Sequence, residues 1–499
     1  MNINNISSQV NFKSINLDML SKGLYTLNNN DMLNAAAVDL FATDTQRTII
    51  ETKRRGKNAG IEMGFREFTG TFIVEFSATL FALLSSKIFA KKYKPKVKIN
   101  PNSWLTNKAI DTFSDIYNNS DKSVNGFIID TLNSMSGLAG KRINYFSDVE
   151  KEKTKPIVDK FIEIIENPVR PDKKTIAELQ DDIISVLKAD NEILIKGKNK
   201  QFSDNLTHIV RDIVDVSRNV FFKNGIDSNE TIKKLKQLNK SRVAFAIPLS
   251  LLLAISNQKL NRYLTKRRTG IDNFVGENGY ENNVKNQNET KKEKGLGLKK
   301  AASVGVFLTM LLATMGVKKP IDLIKNLEFS GPATSGNTIK TIYGTLITGR
   351  LLASKDSTEL RETVLRDYLG FLNWLVLGGF VAKGVGQILD PKMTQLFNIS
   401  KEGKGIKHWL KDISLKSQKE IIAQGGNIKK NLKNLNIAQI SGIAYSAIML
   451  GILLPKLNIA LTQNKKDKPQ KQDIKTNPFI YKNTPEIFKG FLKQENFMV

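Results

Sequence analysis

The sequence predicts an all-α fold: a membrane-associated helical bundle of about five apolar helices (four to six) plus a soluble α-helical domain and disordered basic loops. Three observations predict it. Runs of roughly 17–20 apolar residues recur along the chain, near the length a helix needs to cross a hydrocarbon core of about 30 Å. Residues 99–242 are polar, but repeat apolar side chains at helical spacing. The excess positive charge sits beside the apolar runs.

Residues 1–67 form a polar, Asn-rich N-terminal region with no basic start followed by an apolar stretch, so no secretory signal is expected and an internal segment must direct membrane insertion. The first apolar run, 68–90, is interrupted by Glu75 and is bracketed by Lys53, Arg54, Arg55 and Lys57 before it and by Lys91, Lys92, Lys94, Lys96 and Lys98 after it. Residues 99–242 are read as the soluble domain. Ile176, Leu179, Ile183 and Leu187 mark one helix, and Ile209, Ile213, Val216 and Val220 mark another.

Residues 243–461 are read as a membrane-associated helical region. It holds the runs 243–256 (with Pro248), 301–317, 368–389 and 437–454, and a disordered loop at 272–300. A weaker run, 338–353, carries Lys340 and Arg350 and reads as re-entrant or interfacial. Residues 462–499 are read as a polar basic tail.

Charge narrows the function class. The chain has 76 Lys+Arg against 48 Asp+Glu, a formal +28. Residues 99–242 hold 23 basic and 21 acidic residues, and the rest of the chain 53 and 27. A nucleic-acid-binding protein would load its folded polar domain with the excess. Basic residues flanking apolar runs instead suit anionic lipid headgroups, at about 1 kcal/mol each. The expected partners are therefore the membrane and its anionic lipids, with a protein partner or a second copy of the chain in addition; nucleic acid is disfavoured.

The chain has no cysteine and two histidines, His208 and His408, which excludes thiolate chemistry and leaves little for a metal site. His208 with Asp212 and Asp215 reads as a salt-bridging helix face. No phosphate-binding loop or nucleophile elbow is present, since Gly295-Leu296-Gly297 lacks the third glycine. No catalytic, cofactor-binding or metal-binding residues are predicted, and an enzyme is not expected.

Three sets of residues stand out. Glu75, Arg350 and Lys383 are charges inside apolar runs, where a charge needs a partner or a wet cavity; Arg350, Lys340 and Lys383 are the expected partners of Glu75. Lys259, Arg262, Lys266, Arg267 and Arg268 follow the second run and are expected to contact headgroups. Gly378, Ala382 and Gly386, and likewise Ala438, Gly442 and Ser446, place small residues every four positions, as helices packing closely in lipid do. The stripes Gly70, Ala78, Ala82, Ser86 and Ala301, Gly305, Thr309, Ala313 follow the same rule. Ile406, Trp409, Leu410 and Ile413 make an amphipathic stripe suited to a membrane interface or to a neighbouring helix.

The expectation is a non-catalytic integral membrane protein, in a bacterial cytoplasmic membrane, acting in membrane organisation or as an assembly partner. A transporter or channel-like protein using Glu75 with intramembrane basic residues is the alternative, and a soluble basic nucleic-acid-binding protein the third reading.

Overall fold

A computed structural model describes residues 17–28, 30–92, 103–137, 140–145, 148–169, 171–222, 228–269, 294–317, 327, 329–330, 333–401 and 403–462. The chain is all-α with a few short strands. The N-terminal helices are α1 (Leu17–Asn28), α2 (Asp31–Ala37), a wide π-helical turn Val38–Asp44, α3 (Thr45–Arg55), α4 (Lys57–Thr71), a second π-helical segment Phe72–Ser77, and α5 (Ala78–Lys92).

A mixed segment follows: α6 (Asn107–Asn119), α7 (Val124–Asn133), β1 (Met135–Gly137), α8 (Asp148–Glu166), α9 (Lys173–Leu187), β2 (Ile193–Lys196), β3 (Gln201–Asp204) and α10 (Leu206–Val216). Each of α6, α7, α9 and α10 starts where a side chain can cap it. Thr106, Ser123, Asp172 and Asn205 accept a backbone N–H from the first turn. One apolar core binds these elements. Phe113, Phe127, Phe161, Leu179, Ile183, Ile209 and Ile213 are fully buried in it, and Tyr117 stacks on Phe221 at 4.2 Å. The strands form an antiparallel sheet in the order β1-β2-β3, with Met135 opposite Ile195 and Ile193 opposite Asp204.

The remaining elements are α11 (Ser228–Thr269), α12 (Leu296–Thr314), the β4 (Phe329–Ser330) and β5 (Ala333–Thr334) pair, α13 (Gly336–Ala353), α14 (Ser357–Leu372), α15 (Gly378–Leu389), β6 (Phe397–Ile399), α16 (Ile406–Lys411), β7 (Ile413–Leu415), α17 (Gln418–Gln424), α18 (Ile428–Ile448) and α19 (Leu454–Thr462). A π-helical turn joins α14 to α15 and another joins α18 to α19. Helix α11 is 42 residues long, or about 63 Å at 1.5 Å per residue. Its first half supplies Leu235 to the core of the mixed segment and Ser241 and Arg242 to α5, and its second half lies against α4 and α13. Residue 242, where the sequence suggested a boundary, is thus inside one continuous helix.

Of the expected loop 272–300, residues 272–293 lie outside the described residues, whereas Leu296–Lys300 already belong to α12. The basic tail from 463 onward also lies outside them. The run 338–353 forms a helix packed inside the protein. It is the centre of α13, buried on several sides through Ile339, Ile342, Leu346, Ile347 and Leu351, because α11 and α12 both pack on it. The stripe at Ile406 forms only the six-residue α16; Ile406 is exposed, while Ile413 is buried in β7.

Candidate functional site

Four helices among the described residues are long and apolar enough to cross a membrane, by length and composition: Lys57–Phe89, Ser228–Arg268, Leu296–Thr314 and Ile428–Leu457. The first has its chemistry inverted. Ile61, Phe65, Phe68, Phe72, Leu80, Leu83, Leu84 and Ile88 face outward, and Phe72 is 51% exposed. The opposite face buries Glu62, Arg66, Glu67, Thr71, Glu75, Ser77, Ser85 and Ser86. The outward residues recur at three- and four-residue steps, the period of a helical face. The π-helical segment adds a residue between Phe72 and Leu80 and leaves Glu75 and Ser77 inside.

Glu67 and Arg350 organise the buried charge. Glu67 Oε2 lies 3.6 Å from Arg350 Nη2 and 3.4 Å from Arg47 Nη1, and Glu67 Oε1 lies 3.8 Å from Arg66 Nε. Arg350 Nη1 donates to Asp367 Oδ1 at 3.2 Å, and that oxygen also accepts from Arg366 Nε at 2.9 Å. Arg47 Nε donates to the Leu450 carbonyl at 3.4 Å, and Thr71 Oγ1 to Asp44 Oδ2 at 2.8 Å. The network therefore ties together α3, α4, α13, α14 and the turn after α18. Near the other end of α11, Arg262 pairs with Glu359, whose second carboxylate oxygen accepts the Lys355 N–H at 2.7 Å. Asp356 caps α14 by accepting the Glu359 N–H at 2.8 Å, so the capping turn holds this acid in place.

Glycines let these helices meet. A Cβ at Gly349 would stand 2.6 Å from the Ile255 carbonyl oxygen, so α13 crosses α11 backbone to backbone. A Cβ at Gly70 would stand 3.2 Å from Arg350 Nη2. The antiparallel seam between α4–α5 and α11 is polar along much of its length. Thr265 Oγ1 donates to Glu62 at 3.0 Å, Thr69 Oγ1 to Asn257 Oδ1 at 3.1 Å and Ser77 Oγ to Ser250 Oγ at 2.8 Å, and Ser85 and Ser241 share a hydrogen bond of 3.0 Å. Between the two serine pairs the seam is apolar, with Ala78, Ala82 and Ala246 fully buried.

The structure distributes the sequence-predicted residues unevenly. Glu75 is fully buried. Arg350 is committed to Glu67 and Asp367, and Lys383 donates to the Trp409 carbonyl and lies 4.4 Å from that indole centroid, so neither is the partner of Glu75. Lys259, Lys266, Arg267 and Arg268 are exposed. Arg262 differs from them: it is buried and paired with Glu359, because its position on α11 points inward.

Gly378, Ala382 and Gly386 on α15 lie against Ala438, Gly442 and Ser446 on α18. A Cβ at Gly442 would be 2.6 Å from the Gly378 carbonyl oxygen and 2.9 Å from Ala382 Cβ, and one at Gly386 3.7 Å from Ala438 Cβ. The stripe Gly70, Ala78, Ala82, Ser86 is buried, but Ala301, Gly305, Thr309 and Ala313 of α12 face outward. That helix packs through Phe307 and Leu311 instead, because Gly344 of α13 makes room for Leu311.

Sequence reasoning missed Arg47, Arg66, Glu67, Asp367 and the buried amides Asn257, Gln258 and Asn261. A signal existed: aromatic residues at 65, 68 and 72 alternate with charges at 62, 66 and 67.

A second polar cluster joins the mixed segment to α1 and α17. The Asp190 carboxylate accepts from Tyr25 Oη at 2.8 Å and from Ser417 Oγ, and the Asp190 N–H donates to Glu420 Oε1 at 3.1 Å. Burial pushes both carboxyls above their usual range; for Glu420 the neighbouring Asp190 adds to it, while hydrogen bonds from Ser417 and Tyr25 partly offset the shift at Asp190. His208 Nδ1 lies 3.0 Å from Asp204 rather than beside Asp212, and among the described residues no group of three or more His, Asp or Glu is arranged to hold a metal ion.

The chain matches no protein-family model, no curated protein and no solved structure.

Proposed function

We propose that this chain is a non-catalytic integral membrane protein, in which apolar helices cross the bilayer around a welded charged core and residues 99–242 work in water as an assembly platform. One observation carries the reading: Lys57–Phe89 turns phenylalanine and leucine outward and buries glutamate and arginine. In water that arrangement exposes apolar surface and desolvates charge, both unfavourable. In lipid the outer face is solvated by acyl chains, and the charges find partners within the protein. The exposed Lys259, Lys266, Arg267 and Arg268 at the end of α11 would meet anionic headgroups. Alkaline carbonate extraction of membranes tests the reading. The protein should stay in the pellet and need detergent; release of intact protein by carbonate alone would count against integration.

A transport role is the second reading. It is favoured by Glu75, fully buried within an apolar helix, and by Asn261, buried on α11 with no hydrogen-bond partner for its amide among the described residues. Transmembrane helices keep such groups mostly along ion and proton pathways. Proteoliposome flux measured with the native chain and with Glu75→Gln tests it; flux lost in the variant supports the role of Glu75, and no flux from either argues for the platform alone.

A further inference from the structure

The mixed segment contains a cavity of about 670 Å³, a size suited to a small molecule. It opens where the C-terminal ends of α6 and α7 meet the segment at 142–144 and the turn between β2 and β3. Polar side chains share its walls with Ile116 and Ile143. Arg142, Lys196 and Lys198 line it, are exposed, and make no ion pair among the described residues. Asn133 presents a buried amide nitrogen that has no hydrogen-bond partner among the described residues, while its oxygen accepts the Tyr145 N–H at 2.9 Å.

Two carboxylates also line the cavity, and they differ. Asp115 is occupied by the turn: Oδ2 accepts the N–H groups of Asn199 at 2.7 Å and Lys200 at 3.2 Å. Gly197 permits this contact, since a Cβ there would lie 2.6 Å from the same oxygen. Asp115 therefore fixes the turn that carries Lys196 and Lys198. Asp130 is partly buried, and its carboxylate has no hydrogen bond among the described residues.

We infer that this cavity binds a small phosphate ester, with Arg142, Lys196 and Lys198 around the phosphate and Asp130 accepting from a hydroxyl of the esterified group. Three cations lining one opening suit a multiply charged anion, and a guanidinium matches two phosphate oxygens at once. An acceptor beside them that the protein leaves uncommitted selects an ester that carries a hydroxyl over bare phosphate. The inference does not rest on membrane integration, because every residue in it belongs to the mixed segment.

Calorimetry on the full chain in detergent tests it, with glucose 6-phosphate, inorganic phosphate and a dispersed short-chain phosphatidylglycerol as probes. We expect one saturable site per chain. Arg142→Gln, and Lys196→Gln combined with Lys198→Gln, should each weaken it by roughly tenfold or more. Asp130→Ala should lower the preference for glucose 6-phosphate over inorganic phosphate. Tighter binding of the lipid probe would identify the ester as a headgroup, and tighter binding of glucose 6-phosphate a free metabolite. The substituted cations are exposed, so an unchanged melting temperature should accompany the loss. Failure of all three probes to saturate, or native affinity in both cation variants, would overturn the inference.

Discussion

Arg350 meets Glu67 at 3.6 Å, beside the space that Gly70 leaves by lacking a side chain. The contact closes a ring of helices, since each of the two residues also holds a second partner: Asp367 for Arg350 and Arg47 for Glu67. Removing one member leaves the others buried with fewer compensating charges; breaking a buried pair typically costs about 3–5 kcal/mol. Glu67→Gln and Arg350→Gln should each lower the melting temperature in detergent substantially. The double variant should fall by less than the two losses together, because a pair is removed and not a lone charge. Additive losses would show that the two residues are not coupled.

The close contact of α15 with α18 yields a second expectation. Ala382→Leu places a large side chain where Gly442 lies against Ala382, and overpacking costs about 1–3 kcal/mol. Leu377→Phe, at a position 38% exposed, should be milder. Protease resistance or melting of the two variants decides the matter. Equal damage from both, or more from Leu377→Phe, would place the packing face elsewhere on the helix.

The joint at Asp190 and Glu420 should respond to pH. Both carboxyls are raised in the folded chain, so folding favours their protonated forms. Their contribution is therefore fully present below the unfolded value of about 4 and is lost as pH rises through the raised folded values. Limited proteolysis near 188–190 and 417–424 should be slowest at the acidic end of a pH series and quicken toward neutrality. Glu420→Gln should flatten that dependence. A joint that tightens on going from acid to neutral pH would contradict the assignment.

Much of the helical architecture was legible because it rests on local signals. Ile209, Ile213, Val216 and Val220 repeat at helical spacing, and all four are buried along α10 and the π-helical turn after it. Gly378, Ala382, Gly442 and Ser446 also announce a close approach through spacing alone. The charged core was hidden by the rule used to find membrane segments. A run defined by the absence of charge begins at residue 68, whereas the helix begins at Lys57 and places its ionic half before that point. Pairing was hidden as well. Nothing local in Arg350 or Glu75 states that the first reaches Glu67 and Asp367; that follows from how α4, α13 and α14 cross. The β2–β3 hairpin was overlooked although Ile193, Leu194 and Ile195 followed by Gly197 carry a strand-and-turn signal. The outward stripe of α12 shows the converse: small residues at the right spacing need not face a neighbour when Phe307 and Leu311 supply the contact.

The central claim, that lipid covers the apolar face of Lys57–Phe89, is most directly tested at Phe72. The chain has no cysteine, so Phe72→Cys gives a single site for a nitroxide label. Collision of that label with oxygen, which concentrates in acyl chains, is compared with collision with a water-soluble nickel chelate, using protein reconstituted in vesicles. Lys173→Cys, on an exposed turn of α9, serves as the reference in water. The account predicts high oxygen and low nickel accessibility at position 72, and the reverse at 173. Nickel accessibility at 72 equal to that at 173 would contradict it.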